Sequence, residues 1–331
     1  MTERVAIVEF YTWHTECLPQ QIEYWAQHSN EVWLYVNKRV ADRVEFAHSN
    51  IKLIAMDFDH FAGLLKLHRA IRKNNIKQVI FNTASGSKML QFCLLPRWRN
   101  TRFVGILHNA KKLETSLGQK FISHRLIEHY FVLGAYIVEY VRSLGYSCSY
   151  IQAYKALPPT GHIKPQGERW AIVPGTVQYT RRDYNFLLHL LQRSDFPHNT
   201  KVVLLSNINA ANGNDFLSNC RAAGVEDKII YFNSYVPSTL FAQYMNDADF
   251  LLALIHSNTP FFAEYQTSKV SGTFLLAAAY NKPMLIDKVF ASIRGFNFPS
   301  VFYADMDECI SKMNKSHSHQ RLRAEPNYRN E

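Results

Sequence analysis

The sequence predicts an α/β protein built as two doubly wound, mainly parallel domains facing across a cleft. Short β-branched runs alternate with helix-length amphipathic segments along most of the chain, the pattern of a parallel sheet wrapped by helices. Residues 156–168 (ALPPTGHIKPQGE) interrupt that alternation with three prolines and two glycines, after which it restarts. At 331 residues the chain is long for one core and suits two. The expected division is 1–160, 161–310 and a basic, disordered tail, 311–331.

Taken in order, residues 4–10 (RVAIVEF) read as a buried strand that stops at a polar loop, Tyr11 to Pro19. A helix follows with Ile22, Trp25 and Ala26 on one face, then strands 31–36 and 51–56. Helix 59–74 sets Phe61, Leu64, Leu65 and Ile71 beside Lys66, Arg69, Arg72 and Lys73. Strand 78–82 ends in an Asn82–Ser87 loop, and strand 102–107 ends at His108-Asn109. Helix 117–128, strand 130–133, helix 135–144 and strand 149–154 complete the first half.

The second half reads as strand 170–173, helix 183–193, strand 201–206, helix 213–223, strand 228–232, helix 237–247 and strand 249–255. Tyr184, Leu187, Leu188 and Leu191 have the i, i+3, i+4, i+7 spacing of a core-facing helix stripe. Residues 260–287 then give a polar loop with Glu264, Tyr265 and Gln266, a small-residue helix 274–280, an Asn281-Lys282-Pro283 turn and strand 284–286. Strand 300–303 closes the pattern.

Composition narrows the function classes. Hydrophobic residues make up 47% and aromatic residues 14%, enough for two cores. Apolar runs such as 250–255 have strand length, short of the roughly 18 residues a membrane span needs. The N-terminus is charged and becomes a strand at once, unlike a secretion signal, so a cytoplasmic protein is expected. Five scattered cysteines (Cys17, Cys93, Cys148, Cys220, Cys309) form no CxxC pair, against both a disulfide framework and a structural zinc site. The net charge of +10 is lopsided: residues 1–165 hold 21 of 37 Lys+Arg and 12 of 27 Asp+Glu. A basic half beside a near-neutral one points to an anionic partner.

Open parallel sheets bind ligands beyond the carboxyl ends of their strands. Residues placed there include His14, Glu16, the Asn82–Ser87 loop and His108 with Asn109, Lys111 and Lys112 in the first half. In the second half they include Gly175, Thr176, Arg181, Arg182, Asn207, Tyr235, Val236, His256, Glu264, Lys269 and Ser271. At the mouth of helix 274–280, free backbone N–H groups, the positive dipole end, Lys269 and the hydroxyls of Ser268 and Ser271 favour an anionic ligand. A nucleotide-sugar diphosphate fits that chemistry.

Val173-Pro174-Gly175-Thr176, the Arg181-Arg182 pair, Phe232 to Pro237, Asp247-Ala248-Asp249 and Lys269 to Ile286, in that order, resemble the donor half of GT-B-fold glycosyltransferases. The likeness covers roughly 165–290 and is nearest to family 4-like enzymes of bacterial surface-polysaccharide assembly. It implies two Rossmann-like domains, an acceptor-binding one first and a nucleotide-sugar-binding one second. It further implies that Arg181, Arg182 and Lys269 contact the donor diphosphate and that the turn at Tyr235-Val236 reads the nucleobase. Glu264 holds the first of two glutamate positions eight apart in that family; the second is Gly272 here, a departure that bears on the ribose contact. His108 stands where retaining relatives often place a histidine beside the donor sugar. His14 and Glu16 suit a general base on an acceptor hydroxyl in an inverting reaction, and the choice stays open.

The resulting expectation is a glycosyltransferase moving a sugar from a nucleotide-diphosphate donor to a glycan or lipid-linked acceptor in surface-polysaccharide synthesis. A nucleotide-sugar epimerase on the same scaffold and a non-catalytic binder of an anionic polymer are the alternatives. No metal and no cofactor beyond the donor substrate are expected, because Asp247-x-Asp249 sits at a helix-to-strand junction and reads as a helix cap. The basic helix 59–74 and Arg97-Trp98-Arg99 suit peripheral contact with the anionic inner face of the membrane. No nucleic-acid-binding signature is present, and nucleic acid is not an expected partner.

Overall fold

The computed structural model describes residues 4–315 apart from 45 and 47. The chain divides into two compact units. The first runs to Lys155 and takes in Thr267–Val270; the second runs from Ala156 to Gln266 and continues from Ser271. The division thus falls at the start of the Pro/Gly-rich stretch, and four residues of the second half side with the first unit.

In the first unit the strands are β1 (Arg4–Glu9), β2 (Glu31–Asn37), β3 (Ile51–Met56), β4 (Gln78–Phe81), β5 (Arg102–Leu107), β6 (His129–Val132) and β7 (Cys148–Tyr150). They form one sheet of order β3-β2-β1-β4-β5-β6-β7, with parallel pairing throughout. The helices are α1 (Leu18–His28), α2 (Phe61–Lys73), α3 (Ser87–Cys93), α4 (Lys112–Thr115), α5 (Leu117–Arg125) and α6 (Ala135–Ser143). One sheet face packs Val5, Ile7, Val32 and Leu34 against Leu18 and Ile22 of α1. On β1, Val5 to Val8 are all buried, as expected of a parallel strand covered on both faces.

The second unit repeats the arrangement. Its strands are β8 (Arg169–Pro174), β9 (Thr200–Asn207), β10 (Ile229–Phe232), β11 (Phe250–Leu252), β12 (Met284–Asp287) and β13 (Ser300–Tyr303), in the order β10-β9-β8-β11-β12-β13. These strands too are all parallel. The helices are α7 (Tyr184–Gln192), α8 (Gly213–Ala222), α9 (Ser238–Asp247), α10 (Phe262–Thr267), α11 (Gly272–Tyr280) and α12 (Met306–Lys315). Tyr184, Leu187 and Leu191 of α7 are fully buried in one core cluster with Val202, Leu204 and Phe216. Phe274, Phe290, Phe296 and Phe298 form an aromatic cluster at ring separations of 5.2–5.7 Å.

In each unit the order reverses beside the first strand, between β1 and β4 and between β8 and β11. The carboxyl ends of those strands are where a doubly wound sheet opens for a ligand.

Several expectations change in detail. The polar loop at Glu264-Tyr265-Gln266 is a helix, α10, because Tyr265 is buried and anchors it. Residues 311–315, expected to open the basic tail, are the end of α12, where Ile310 and Met313 are buried; the rest of the tail lies outside the described residues. Asp247 does not cap α9. Its carboxylate receives the N–H groups of Ile163 and Lys164 at 2.7 and 3.2 Å and lies 2.6 Å from His162 Nδ1. Asp249 accepts from Lys164 Nζ and Trp170 N, both at 2.7 Å. Both carboxylates therefore fasten the first residues of the second unit to its own sheet.

The approach of β5 to the loop after β4 gives a direct test. A Cβ on Gly105 would stand 2.3 Å from Ala84 Cβ. Gly105→Ala should lower stability by about 1–3 kcal/mol in urea unfolding, the usual range for overpacking a closed interior.

Candidate functional site

At the carboxyl end of β1 and β4 a polar cluster is built around Asn82. Glu9, the last residue of β1, is fully buried. Its Oε1 accepts from Tyr11 N at 2.7 Å, and its Oε2 accepts from Asn82 Nδ2 at 2.5 Å and Thr83 Oγ1 at 2.8 Å. Asn82 Nδ2 also donates to the backbone oxygen of His14 at 2.8 Å, and Gln21 of α1 donates to Asn82 Oδ1. Tyr11 fastens the two loops together, donating its hydroxyl to Ser85 O at 2.9 Å and accepting from Lys88 N at 3.1 Å.

Two of the expected residues, His14 and His108, are stacked here. Their rings lie 3.7 Å apart and 11° from parallel. His108 Nε2 is 2.8 Å from the Asn82 carbonyl, which can only accept, so Nε2 carries the hydrogen and Nδ1 presents a lone pair. Burial, reinforced by the neighbouring His14 charge, pushes His108 down to about 3, leaving the ring neutral. His14 takes a left-handed conformation, φ 64° and ψ 16°, unusual for a side chain with a Cβ. Its Nδ1 lies 3.5 Å from Glu16 Oε1, to which Tyr154 also donates at 3.4 Å. Burial works to raise the Glu16 carboxyl, but the hydrogen bond and charge of His14 outweigh it and hold the group below its usual value.

In the second unit β8 ends at Pro174 and turns at Gly175, whose φ of +84° suits glycine. Arg182 is buried, and its Nη2 donates to Pro174 O at 2.6 Å and to Thr273 Oγ1 at 3.0 Å. One guanidinium thus ties the turn after β8 to the first turn of α11. That helix starts at Gly272, which is exposed, with Ser271 as its N-cap, the Oγ accepting from Thr273 N at 3.3 Å. Arg181 is exposed and Thr176 half-buried at the same corner. Tyr265 of α10 lies within electrostatic reach of both arginines, and Glu264 beside it is half-buried.

Behind this corner Asp183 caps α7, accepting from Phe186 N at 2.9 Å, and also meets His256 Nδ1 at 3.1 Å and Asn258 Nδ2 at 2.7 Å. Tyr303 OH lies 2.7 Å from the other nitrogen of His256. Burial pushes Asp183 up, but its bonds to His256, Phe186 N and Asn258 prevail and hold it at about 2. Asn207 ends β9, its Oδ1 accepting from Asn209 N at 3.0 Å, while Asn209 Nδ2 donates to Asn233 O at 2.8 Å. The following turn leaves Tyr235 76% exposed and buries Val236.

Lys269 and Ser268 belong to the first unit. Lys269 forms a β-bridge with Asn109, its carbonyl accepts from Tyr136 OH at 2.7 Å, and Ser268 O accepts from Ala110 N at 2.9 Å. The Ser268 hydroxyl is buried without a hydrogen-bond partner among the described residues. The expected residues thus fall into a histidine cluster with Glu16, a Gly175–Arg182–α11 corner, and a Ser268-Lys269 segment seated beside the His108-Asn109 turn. Sequence reasoning passed over Glu9, Asp183 and Tyr303. A lone carboxylate inside an apolar strand was the available signal for Glu9, because such a group must be compensated.

Glu9 makes stability depend on pH. Burial raises its carboxyl to about 7, against an unfolded value of 4.5, while the Tyr11, Asn82 and Thr83 donors oppose the shift. Between those values the folded chain holds the proton and the unfolded chain has lost it, so unfolding free energy falls as pH rises through this window. The loss should total roughly 3 kcal/mol, at ~1.4 kcal/mol per pH unit. Chemical denaturation at pH 4.5 and 7.5 should show a stability slope that Glu9→Gln flattens.

No family model matches the chain, and no curated protein matches its sequence. Solved structures do match its fold. A lipopolysaccharide outer core galactosyltransferase, WaaB, in its apo form, aligns over 95% of this chain and 90% of its own at 11% identity and a TM-score of 0.55. Anabaena HepE in complex with UDP-glucose aligns over 94% and 89% at 10% identity and 0.64. A Listeria monocytogenes protein named a "putative UDP-N-acetylglucosamine 2-epimerase" aligns over 98% and 92% at 9% identity and 0.59. The chain has the fold of the GT-B glycosyltransferases, two α/β units each carrying a doubly wound parallel sheet.

Proposed function

We propose that this protein is a glycosyltransferase that moves a sugar from a nucleotide-diphosphate donor to a glycan or lipid-linked acceptor. The observation that carries this reading is the corner at the switch point of the second sheet. There Arg182 holds the glycine turn after β8 against the N-terminal turn of α11. Backbone N–H groups of that turn, the helix dipole and the exposed Arg181 present partial and full positive charge to a diphosphate. Such groups stabilise the negative charge that grows on the leaving diphosphate as the glycosidic bond breaks.

In this reading the second unit binds the donor through Gly175, Thr176, Arg181, Ser271 and Gly272, with Asn207 and the Tyr235-Val236 turn serving the nucleoside. Lys269 and Ser268 add donors to the diphosphate. His14, Glu16 and His108 serve the sugar and acceptor, the lone pair on His108 Nδ1 accepting a sugar hydroxyl. The reaction needs no metal here, because Asp247 and Asp249 are committed to the 162–170 stretch. An epimerase on the same scaffold is the second reading, and the Listeria match favours it. It would convert donor with no acceptor present.

A nucleoside diphosphate at a hundred times its dissociation constant should stabilise the protein by about 2.7 kcal/mol in thermal shift. Lys269→Ala and Arg181→Ala should each cost about a hundredfold in transfer. Wild-type turnover in both variants, or donor conversion without acceptor, would overturn the transferase reading.

The basic first unit is proposed to rest on anionic lipid at the inner face of the cytoplasmic membrane. No helix among the described residues is long and apolar enough to cross a membrane. Lys66, Arg69, Arg72 and Lys73 are exposed on α2, which packs beside α3, and α3 packs beside α5. These helices also expose apolar tips, Leu94 just past α3 (66%), Leu117 (83%) and Phe121 (43%). Apolar tips among lysines and arginines suit an interfacial seat. Co-sedimentation with phosphatidylglycerol vesicles should be lost in Leu117→Asp/Phe121→Asp and weakened by salt, while the nucleotide-induced thermal shift is kept.

A further inference from the structure

We propose that Glu9 is a positioning residue, fixing the stacked pair His14 and His108 through Asn82. The inference rests on the transferase reading for what the pair does, but its geometry stands within the first unit alone.

The chain of contacts is short. Asn82 touches both histidines: its side-chain Nδ2 donates to His14 O, and its backbone carbonyl accepts from His108 Nε2. What fixes that side chain is Glu9 on one side, accepting from Nδ2, and Gln21 on the other, donating to Oδ1. The two contacts set which end of the Asn82 amide faces which way. The same carboxylate accepts from Tyr11 N, the second residue of the segment that leads to His14. Glu9 therefore holds the His14 loop at two places, from inside a strand with no freedom to move.

The loop needs holding. His14 sits in the left-handed region, a conformation worth about 1–3 kcal/mol of strain for a residue that is not glycine. Released, it would relax toward an ordinary backbone conformation, and its ring would leave the face of His108. All three partners of Glu9 are donors, so the ionised carboxylate, the form held above about pH 7, satisfies them and a carboxamide does not. In Glu9→Gln one N–H must face another, at Tyr11 or at Asn82, and both lead to His14.

The test compares Glu9→Gln with wild type at about pH 8, where Glu9 is ionised, by aromatic ¹³C-resolved NMR, with the ring signals assigned through His14→Asn and His108→Asn. Rings stacked at 3.7 Å shift each other's protons upfield. Glu9→Gln should lose those mutual shifts; retention of them overturns the inference whatever the enzyme assay gives. Thr83→Val, which removes a Glu9 donor that does not touch His14, should keep the shifts, and loss there as well also overturns it. Should Glu9→Gln fail to fold, Glu9→Asp, which keeps the charge but withdraws it by one methylene, should show the same loss. In transfer assays Glu9→Gln should lower kcat on the order of a hundredfold with donor KM within about twofold, as for a misplaced reacting group. An unchanged kcat overturns the positioning role. The NMR arm needs neither donor nor acceptor, so an inactive wild type would sink the transferase reading and leave this result standing.

Discussion

A parallel strand covered by helices on both faces has nowhere to put a polar side chain except at its ends. That constraint arranges this molecule. In β1 and β8 the interior positions are apolar and buried, and the first chemistry appears where pairing stops, at Glu9 and at Gly175. Because the order reverses beside the first strand, the loops after β1 and β4, and after β8 and β11, open apart and leave room between them. The histidine cluster and the arginine-held corner occupy these two openings, one in each unit.

The polar groups at the two openings are compensated in opposite ways. Glu9 meets only neutral donors, so burial dominates and its carboxyl rises to about 7. Asp183 is buried too, yet it gains His256 and Asn258 besides the N-terminal N–H of α7, and it stays at about 2. Asp183 is therefore a fixed charge under all ordinary conditions, suited to holding a scaffold. Glu9 is poised near neutrality, and its environment makes it the more costly group to keep ionised.

The alternation of elements was legible in the sequence because its signals are local: a period of two or an unbroken apolar run for strands, a period near 3.6 for helices. The connector was legible for the same reason, from its prolines. What was not legible depends on contacts between distant residues. Nothing in Thr267–Val270 marks it as a segment that packs with the first unit, since the bridge to Asn109 and the bond from Tyr136 come from far back in the chain. Asp247-x-Asp249 reads as a helix cap, and only the fold shows its carboxylates spent on Ile163, Lys164 and Trp170. His14 and His108 were each visible as a histidine past a strand; that they stack was not, because 94 residues separate them.

Arg182, expected from the resemblance to contact a donor diphosphate, is tied into the fold as well. Its Nη2 is bonded to Pro174 O and Thr273 Oγ1, which fixes the turn after β8 against the start of α11. A corner of that kind asks little of sequence. Peptide N–H groups and a helix dipole are the same whatever side chains surround them, and only the turn glycine, the cap and the tie between them are constrained. The fold can then persist at 9–11% identity over nearly the whole chain while family-level sequence signals fade. Side-chain identity should matter most in the first unit, where the Asn82 amide donates to Glu9 and to His14 O and accepts from Gln21, a set of bonds in both directions that no other side chain of its size can make.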